Sequence, residues 1–269
     1  MTNEIRAKLQ AVSAYVTELG YHPIYVALYG SQNYGLDVHS DEYQSDFDYK
    51  VIVIPKLWDL VRDSKPVSTV LDYEGGHIDV KDVRVYMDTA MKLNPAYLEI
   101  LLTDNYIAVN EGVGVMPSMR MYVDGLLHGM APLFVKAAYG MFLEKKKAMC
   151  HPYPTIAWKI EKYGYDGKQA HHMYRLLIML RAFKETGKLN LFPPEEERKL
   201  MIDLKLNRYS LEEVLPMIEV WESEITAIRQ ELEQKYPVID PYWKQRMIDT
   251  SRQLIYACCA NEILEGEKQ

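Results

Sequence analysis

Two aspartates spaced two residues apart, Asp46 and Asp48, stand at the start of an apolar run, residues 49–54. The β-branched residues of this run predict a buried strand over residues 46–54. Side chains two apart in a strand point to the same face, so the two carboxylates should project side by side. Because like charges at that spacing repel, the pattern favours a cation bound between them.

A Gly-Ser turn, Gly30-Ser31, directly follows a short apolar strand predicted over residues 23–29. Glycine lets the backbone approach a ligand closely, and the serine hydroxyl and backbone N–H groups can donate hydrogen bonds to an anion. A Gly-Ser pair alone is more often a plain turn. Combined with the paired carboxylates it predicts a magnesium–triphosphate site, since Mg²⁺ takes one or two carboxylates together with phosphate oxygens.

A two-metal mechanism needs a third carboxylate, and Asp79 is the preferred candidate. It lies on the second strand of a hairpin predicted around the turn at residues 74–76. Asp82 is the rival, although alternation along a strand places it on the opposite face. The competing interpretations are an ordinary exposed strand acid for Asp79 and solvated turn acids for the other pair.

The order of these motifs resembles the DNA polymerase β-like nucleotidyltransferase superfamily: Gly-Ser, then Asp-x-Asp, then a single Asp on a later strand. Residues 31–36 (SQNYGL) and 45–48 (SDFD) are similar to motifs of its RNA-repair-associated branch of predicted nucleotidyltransferases. One departure is the gap between the two motifs, which is longer than usual. Residues 37–44 fill it as an extra polar loop whose role the resemblance leaves open.

The resemblance implies an enzyme that moves a nucleotidyl group from an NTP, with ATP or CTP favoured, to an acceptor hydroxyl and releases pyrophosphate. It implies two Mg²⁺ ions held by Asp46, Asp48 and Asp79. The branch favours an RNA acceptor such as a tRNA-like 3′ end, whereas small-molecule and protein hydroxyls suit the same chemistry. A catalytically silent nucleotide-binding module is the alternative of another class. A phosphohydrolase is disfavoured because His39 is the only histidine in the loop.

A second candidate segment lies at residues 163–176, YGYDGKQAHHMYRL. Asp166 followed three residues later by Gln169 predicts a helix that starts with a capping box, with Lys168 in its first turn. A helix N-terminus and a lysine together suit a triphosphate. The string also resembles the second motif of the same family.

Helical spacing places Lys168, His171 or His172, and Arg175 on one polar stripe of that helix. We predict that Lys168 and Arg175 bind the nucleotide. For the two histidines, a functional role and a merely solvated one are weighed evenly. The two are not expected to share a metal, because neighbours on a helix point about 100° apart.

The whole chain has 269 residues, long enough for two domains, with 48% hydrophobic and 26% charged residues, as expected of a globular protein. Its net charge of −7 argues mildly against a protein that coats nucleic acid. Three cysteines without C-x-x-C spacing favour a reducing, cytoplasmic setting. No apolar run approaches the ~18 residues that cross a bilayer, so no membrane partner is expected.

The predicted fold class is α+β. The resemblance implies an N-terminal polymerase-β-type nucleotidyltransferase domain with a mixed sheet and flanking helices, residues 1–112, which precedes a helical C-terminal domain, residues 113–269. The division between the two domains rests on a change in the hydrophobic pattern. Helix-like and strand-like segments alternate before the boundary, and long segments of helical period follow it.

Overall fold

The computed structural model describes residues 1–41 and 43–266. Its strands are β1 (His22–Tyr29), β2 (Asp48–Ile54), β3 (Ser68–Tyr73), β4 (Gly76–Asp82) and β5 (Tyr106–Ala108). Its helices are α1 (Asn3–Glu18), α2 (Ser31–Tyr34), α3 (Leu57–Val61), α4 (Val83–Ala90), α5 (Pro95–Leu102), α6 (Gly112–Gly129), α7 (Ala131–Ala148), α8 (Ala157–Tyr163), α9 (Gly167–Thr186), α10 (Glu195–Lys205), α11 (Leu211–Lys235) and α12 (Tyr242–Gly266).

The chain divides into two compact units, and the first is discontinuous in sequence. It consists of residues 1–129 together with the described residues from 240 on, while the second consists of residues 130–239. This division corrects the predicted boundary at residue 112. Helix α6 contacts β1 and α5, and α12 contacts α6 and α4, so both long helices complete the first unit.

The first unit is an α+β structure built on a five-stranded mixed sheet in the order β3-β4-β2-β1-β5. Strands β2 and β4 pair in parallel, whereas the other neighbouring pairs are antiparallel. The predicted hairpin is present as β3 and β4. Its turn residues Glu74 and Gly75 have φ angles of 47° and 80°, as a tight primed turn requires.

One face of this sheet is apolar and packs on α1, which begins at an N-cap hydrogen bond from the Ile5 N–H to the Thr2 hydroxyl. Burial of each large aliphatic side chain stabilises this layer by about 1.5–3 kcal/mol. The fully buried residues of the layer come from α1, β1, β2 and β4: Leu9, Val12, Val16, Val26, Leu28, Tyr49, Val51, Val53, Ile78 and Val80.

The start of β2 differs from the predicted strand over residues 46–54. The strand begins at Asp48, whose ladder partner Tyr29 is the last residue of β1. Asp46 therefore has no residue of β1 opposite it and lies in the connecting segment. The expectation of two carboxylates on one strand face is corrected accordingly, because only Asp48 belongs to the ladder.

The second unit is helical, with α9 in contact with α7, α10 and α11. Phe183 of α9 meets Phe134 of α7 edge to face, with ring centroids 5.1 Å apart. Arg181 donates two hydrogen bonds of 2.5 Å to the Glu224 carboxylate of α11. This bidentate pair fixes the register of α9 on α11.

In the part of the chain that the structure describes, no single helix is both long and apolar enough to cross a membrane. Helices α6 and α7 pass that test of length and composition only when they are taken together as a bent pair.

We predict opposite effects for two glycines in the first turn of α6. A Cβ at Gly112 would lie 2.0 Å from the Ile24 carbonyl oxygen of β1, whereas a Cβ at Gly114 would meet nothing within 4 Å. Gly112→Ala should therefore cost about 1–3 kcal/mol of stability through the clash. Gly114→Ala should be neutral or stabilise by about 0.5–1 kcal/mol, since alanine favours the helix. Thermal melting of both variants checks this, and equal melting midpoints would contradict the close approach.

Candidate functional site

The sheet register brings the acids of β2 and β4 to one face, opposite the α1 layer. Asp48 pairs with Tyr29 of β1 and with His77 of β4, and Lys50 pairs with Asp79. Residues opposite each other in a ladder share a face, and residues two apart on one strand share it as well. Asp48, Lys50 and Asp79 therefore project from the same side of adjacent strands.

The Gly-Ser turn lies directly against the first of these acids. Gly30 has a φ of 78°, and a Cβ built on it would lie 2.9 Å from Asp48 Oδ2. Only glycine leaves room for the carboxylate so close to the backbone at this positive φ. Ser31 follows at the first position of α2, half-buried.

Asp46 is exposed, and hydrogen bonds of its neighbour Ser45 fix where it lies. The Ser45 hydroxyl accepts from the Val38 N–H at 2.9 Å, and the Ser45 N–H donates to the Val38 carbonyl at 2.9 Å. The Gln32 side chain of α2 donates to the Ser45 carbonyl at 3.1 Å. The turn after β1 is thus tied to the segment that carries Asp46.

The extra polar loop over residues 37–44 closes on itself, and Glu42 within it lies outside the described residues. His39 and Gln44 form an isolated antiparallel bridge, and the exposed His39 ring lies 3.0 Å from Asp37 Oδ2. The described residues of the loop are therefore held by contacts among themselves.

Asp79 is buried and held between two lysines. Lys50 Nζ donates to Asp79 Oδ2 at 2.7 Å, and Lys81 Nζ lies 2.9 Å from Oδ1 as an ion pair without hydrogen-bond geometry. Lys81 instead donates a hydrogen bond of 2.7 Å to the Ser68 hydroxyl of β3. The side chains of Lys50, Asp79 and Lys81 are 4%, 11% and 12% exposed. Charged groups this deeply buried remain charged only because the lysines and the aspartate neutralise one another.

Aromatic rings enclose the Lys50 ammonium. Its Nζ lies 4.9 Å from the ring centroid of Tyr29 and 4.3 Å from that of Tyr97 on α5. Both distances are within the range of a cation–π attraction. Lys50 was not among the predicted site residues, although a single lysine inside a buried strand is itself a signal that an acid must lie nearby.

The phenol of Tyr29 lies within electrostatic range of the three predicted acids. Burial is the largest cause that raises the pKa of its phenol above the usual range. Negative charges on the three carboxylates of the predicted site raise it further: Asp48, Asp79 and Asp46. The phenol of Tyr29 therefore stays protonated at neutral pH.

Asp82, the rival third acid, has a structural role. It is the N-cap of α4, accepting from the Arg84 N–H at 2.8 Å, and its other oxygen pairs with the Arg84 guanidinium at 2.7 Å. Its ladder partner is Val53, which belongs to the apolar face. The preference for Asp79 on strand context agrees with this placement.

The donor set fits one Mg²⁺ better than two. Carboxylate oxygens are the ligands that Mg²⁺ prefers, and of the three acids Asp46 is exposed and Asp48 half-buried. Asp79, however, already carries two ammonium partners. Across residues 1–41 and 43–266, no three His, Cys, Asp or Glu side chains form a group that could hold a metal ion.

Lys168 and Arg175 belong to the second unit. Asp166 is the N-cap of α9 as predicted, with its carboxylate accepting from the Lys168 N–H at 3.2 Å. Gln169 donates to the Asp166 side chain at 3.1 Å, so the reciprocal bond to the N-cap backbone is replaced by a side-chain contact. Lys168 is exposed in the first turn and Arg175 is half-buried. That they bind the nucleotide stays a prediction.

The two histidines do not form a solvated stripe. His171 is buried, and its Nδ1 donates to the Met201 carbonyl of α10 at 2.8 Å. Burial lowers the pKa of His171 to about 3 and that of His172 well below its usual range. Both rings are therefore neutral at pH 7, and His171 serves the packing of α9 on α10.

The sequence and fold of this chain show only distant similarity to known proteins. No protein-family model and no curated protein matches the sequence. Among solved structures, the chain is similar to a nucleotidyltransferase-like protein from Exiguobacterium sibiricum 255-15, with a TM-score of 0.34 and 12% identity. The match covers 84% of this chain and 76% of that chain. A TM-score of this size is too low to carry an argument, so the functional proposal rests on the side chains.

The buried His171 predicts a loss of stability in mild acid. The unfolded chain takes up a proton below its ordinary pKa of 6.5, whereas the folded protein resists this until about pH 3. The unfolded state then binds more protons, so the free energy of unfolding falls by on the order of 1 kcal/mol per pH unit below 6.5. His171→Gln should flatten this dependence between pH 7.5 and 5 in urea unfolding. Exposed His151 provides the control, and identical slopes for wild type and His171→Gln would refute the assignment.

Proposed function

We propose that the first unit binds a magnesium–nucleoside triphosphate beside Gly30 and transfers its nucleotidyl group to an acceptor hydroxyl. The observation that carries the proposal is the placement of the Asp48 carboxylate against the Gly30 backbone of the Gly-Ser turn, with exposed Asp46 just ahead of it. Mixed sheets of this size serve many functions, so the proposal rests on the site.

Each group of the site has a proposed part. Asp46 and Asp48 would hold the Mg²⁺, which when bound offsets the phosphate charge and the charge that develops on leaving pyrophosphate. The Ser31 hydroxyl and the backbone N–H groups of the turn would donate to phosphate oxygens. Tyr29 stays protonated, so its phenol can donate a hydrogen bond but is not the base at neutral pH.

The reaction is a substitution at the α-phosphorus. The acceptor oxygen forms a bond to that phosphorus, the bond to the bridging oxygen of pyrophosphate breaks, and the hydroxyl proton passes to solvent. The side chains orient and neutralise rather than form covalent bonds.

The acceptor class is part of the proposal, and RNA is the first choice on the motif resemblance. Protein and small-molecule hydroxyls are the alternatives, and the acidic net charge of −7 is compatible with them. The protein is incubated with α-³²P-labelled ATP or CTP and Mg²⁺, together with total RNA, protein or metabolites. The fraction that retains label identifies which of the three acceptor classes is used.

We predict that Asp46→Asn and Asp48→Asn lower the transfer rate by about 100-fold or more, because metal coordination contributes several kcal/mol to such reactions. Thermal melting should show that both variants remain folded. The exposed Asp88 of α4 is the matched control, and Asp88→Asn should keep the wild-type rate.

Two results would refute nucleotidyl transfer. One is a wild-type rate in the Asp46→Asn, Asp48→Asn double variant. The other is tight binding of α,β-methylene ATP or CTP by a protein that transfers no label from α-³²P-labelled ATP or CTP to any acceptor fraction. That result would instead favour a nucleotide-binding module.

A further inference from the structure

We propose that the buried ammonium of Lys50, with Lys81 beside it, takes the place of a second magnesium ion at Asp79. The site then uses one Mg²⁺ for each bound nucleotide, held on the side of Asp46 and Asp48. This inference rests on the proposed function and narrows it, since the resemblance alone implies two ions.

The negative charge of Asp79 is already neutralised by neighbouring ammonium groups. One carboxylate faces two ammonium groups, with Lys50 Nζ 2.7 Å from Oδ2 and Lys81 Nζ 2.9 Å from Oδ1. A divalent cation that approached either oxygen would meet a fixed positive charge a few ångström away. Within a protein the repulsion at that range is large, because little water screens it.

Moving the Lys50 ammonium away from Asp79 would cost considerable free energy. Its strand is central, with β1 on one side and β4 on the other, and its side chain is 4% exposed. The rings of Tyr29 and Tyr97 flank its ammonium. A metal that captured Asp79 would leave this ammonium buried beside the rings without its carboxylate, which is strongly unfavourable.

Asp46 and Asp48 differ from Asp79 in position. Asp46 is exposed ahead of β2, and Asp48 is half-buried at the end of the ladder beside Gly30. Asp79 is buried and lies two residues further along the sheet.

The test counts Mn²⁺ ions bound per chain in the full-length protein, by equilibrium dialysis with saturating α,β-methylene ATP or CTP. We expect one ion per chain in the wild type and in Asp79→Asn, and a loss of at least tenfold in affinity for that ion in Asp48→Asn. Removal of both ammoniums in a Lys50→Met, Lys81→Met variant should free Asp79 and raise the count to two. The exposed Lys65 is the control, and Lys65→Met should remain at one.

Two ions in the wild type, with one lost in Asp79→Asn, would overturn the inference and leave the proposed function intact. A count that stays at one in the Lys50→Met, Lys81→Met variant would also overturn it, because the lysines would then not be what excludes the second ion. No bound ion in the wild type would refute both proposals. If Asp79→Asn does not fold, the wild-type and lysine-variant counts decide alone, and the melting shift caused by Mn²⁺ verifies that each is folded.

Discussion

A single buried ion pair, Lys50 with Asp79, organises the chemistry-bearing face of the first unit. It joins the two parallel strands at the centre of the sheet, where an unpaired charge of either sign would be strongly destabilising. The opposite side of the same strands is apolar and packs on α1. Alternation along each strand therefore separates a dry structural layer from a charged one, and a register slip of one residue would exchange them.

Local signals in the sequence were enough to predict much of this architecture. The run after Asp48 predicted β2, the glycines at residues 75–76 predicted the β3–β4 hairpin, and Asp166 predicted the start of α9. Each of these rests on neighbouring residues only: side-chain period, turn chemistry or capping. The mixed sheet came from the family resemblance, since pairing between strands distant in sequence has no local signature.

What the sequence did not predict depends on long-range contacts. Asp46 falls outside β2 because β1 ends at Tyr29, which only the ladder register reveals. Lys50, the partner of Asp79 on the neighbouring strand, is 29 residues away in sequence. His171 has helical spacing with Lys168 and Arg175, yet α10 covers it, and spacing on one helix does not tell which face another helix takes.

The discontinuity of the first unit has a consequence for how the protein forms during synthesis. The sheet and α6 leave the ribosome early, but α12, which lies against α4 and α6, follows only after all residues of the second unit. Domains generally fold as units in the order of synthesis, and the second unit is continuous. The helical unit can thus mature while its predecessor still lacks a covering helix, so the sides of α4 and α6 that α12 covers stay uncovered until residues translated more than a hundred codons later have been made.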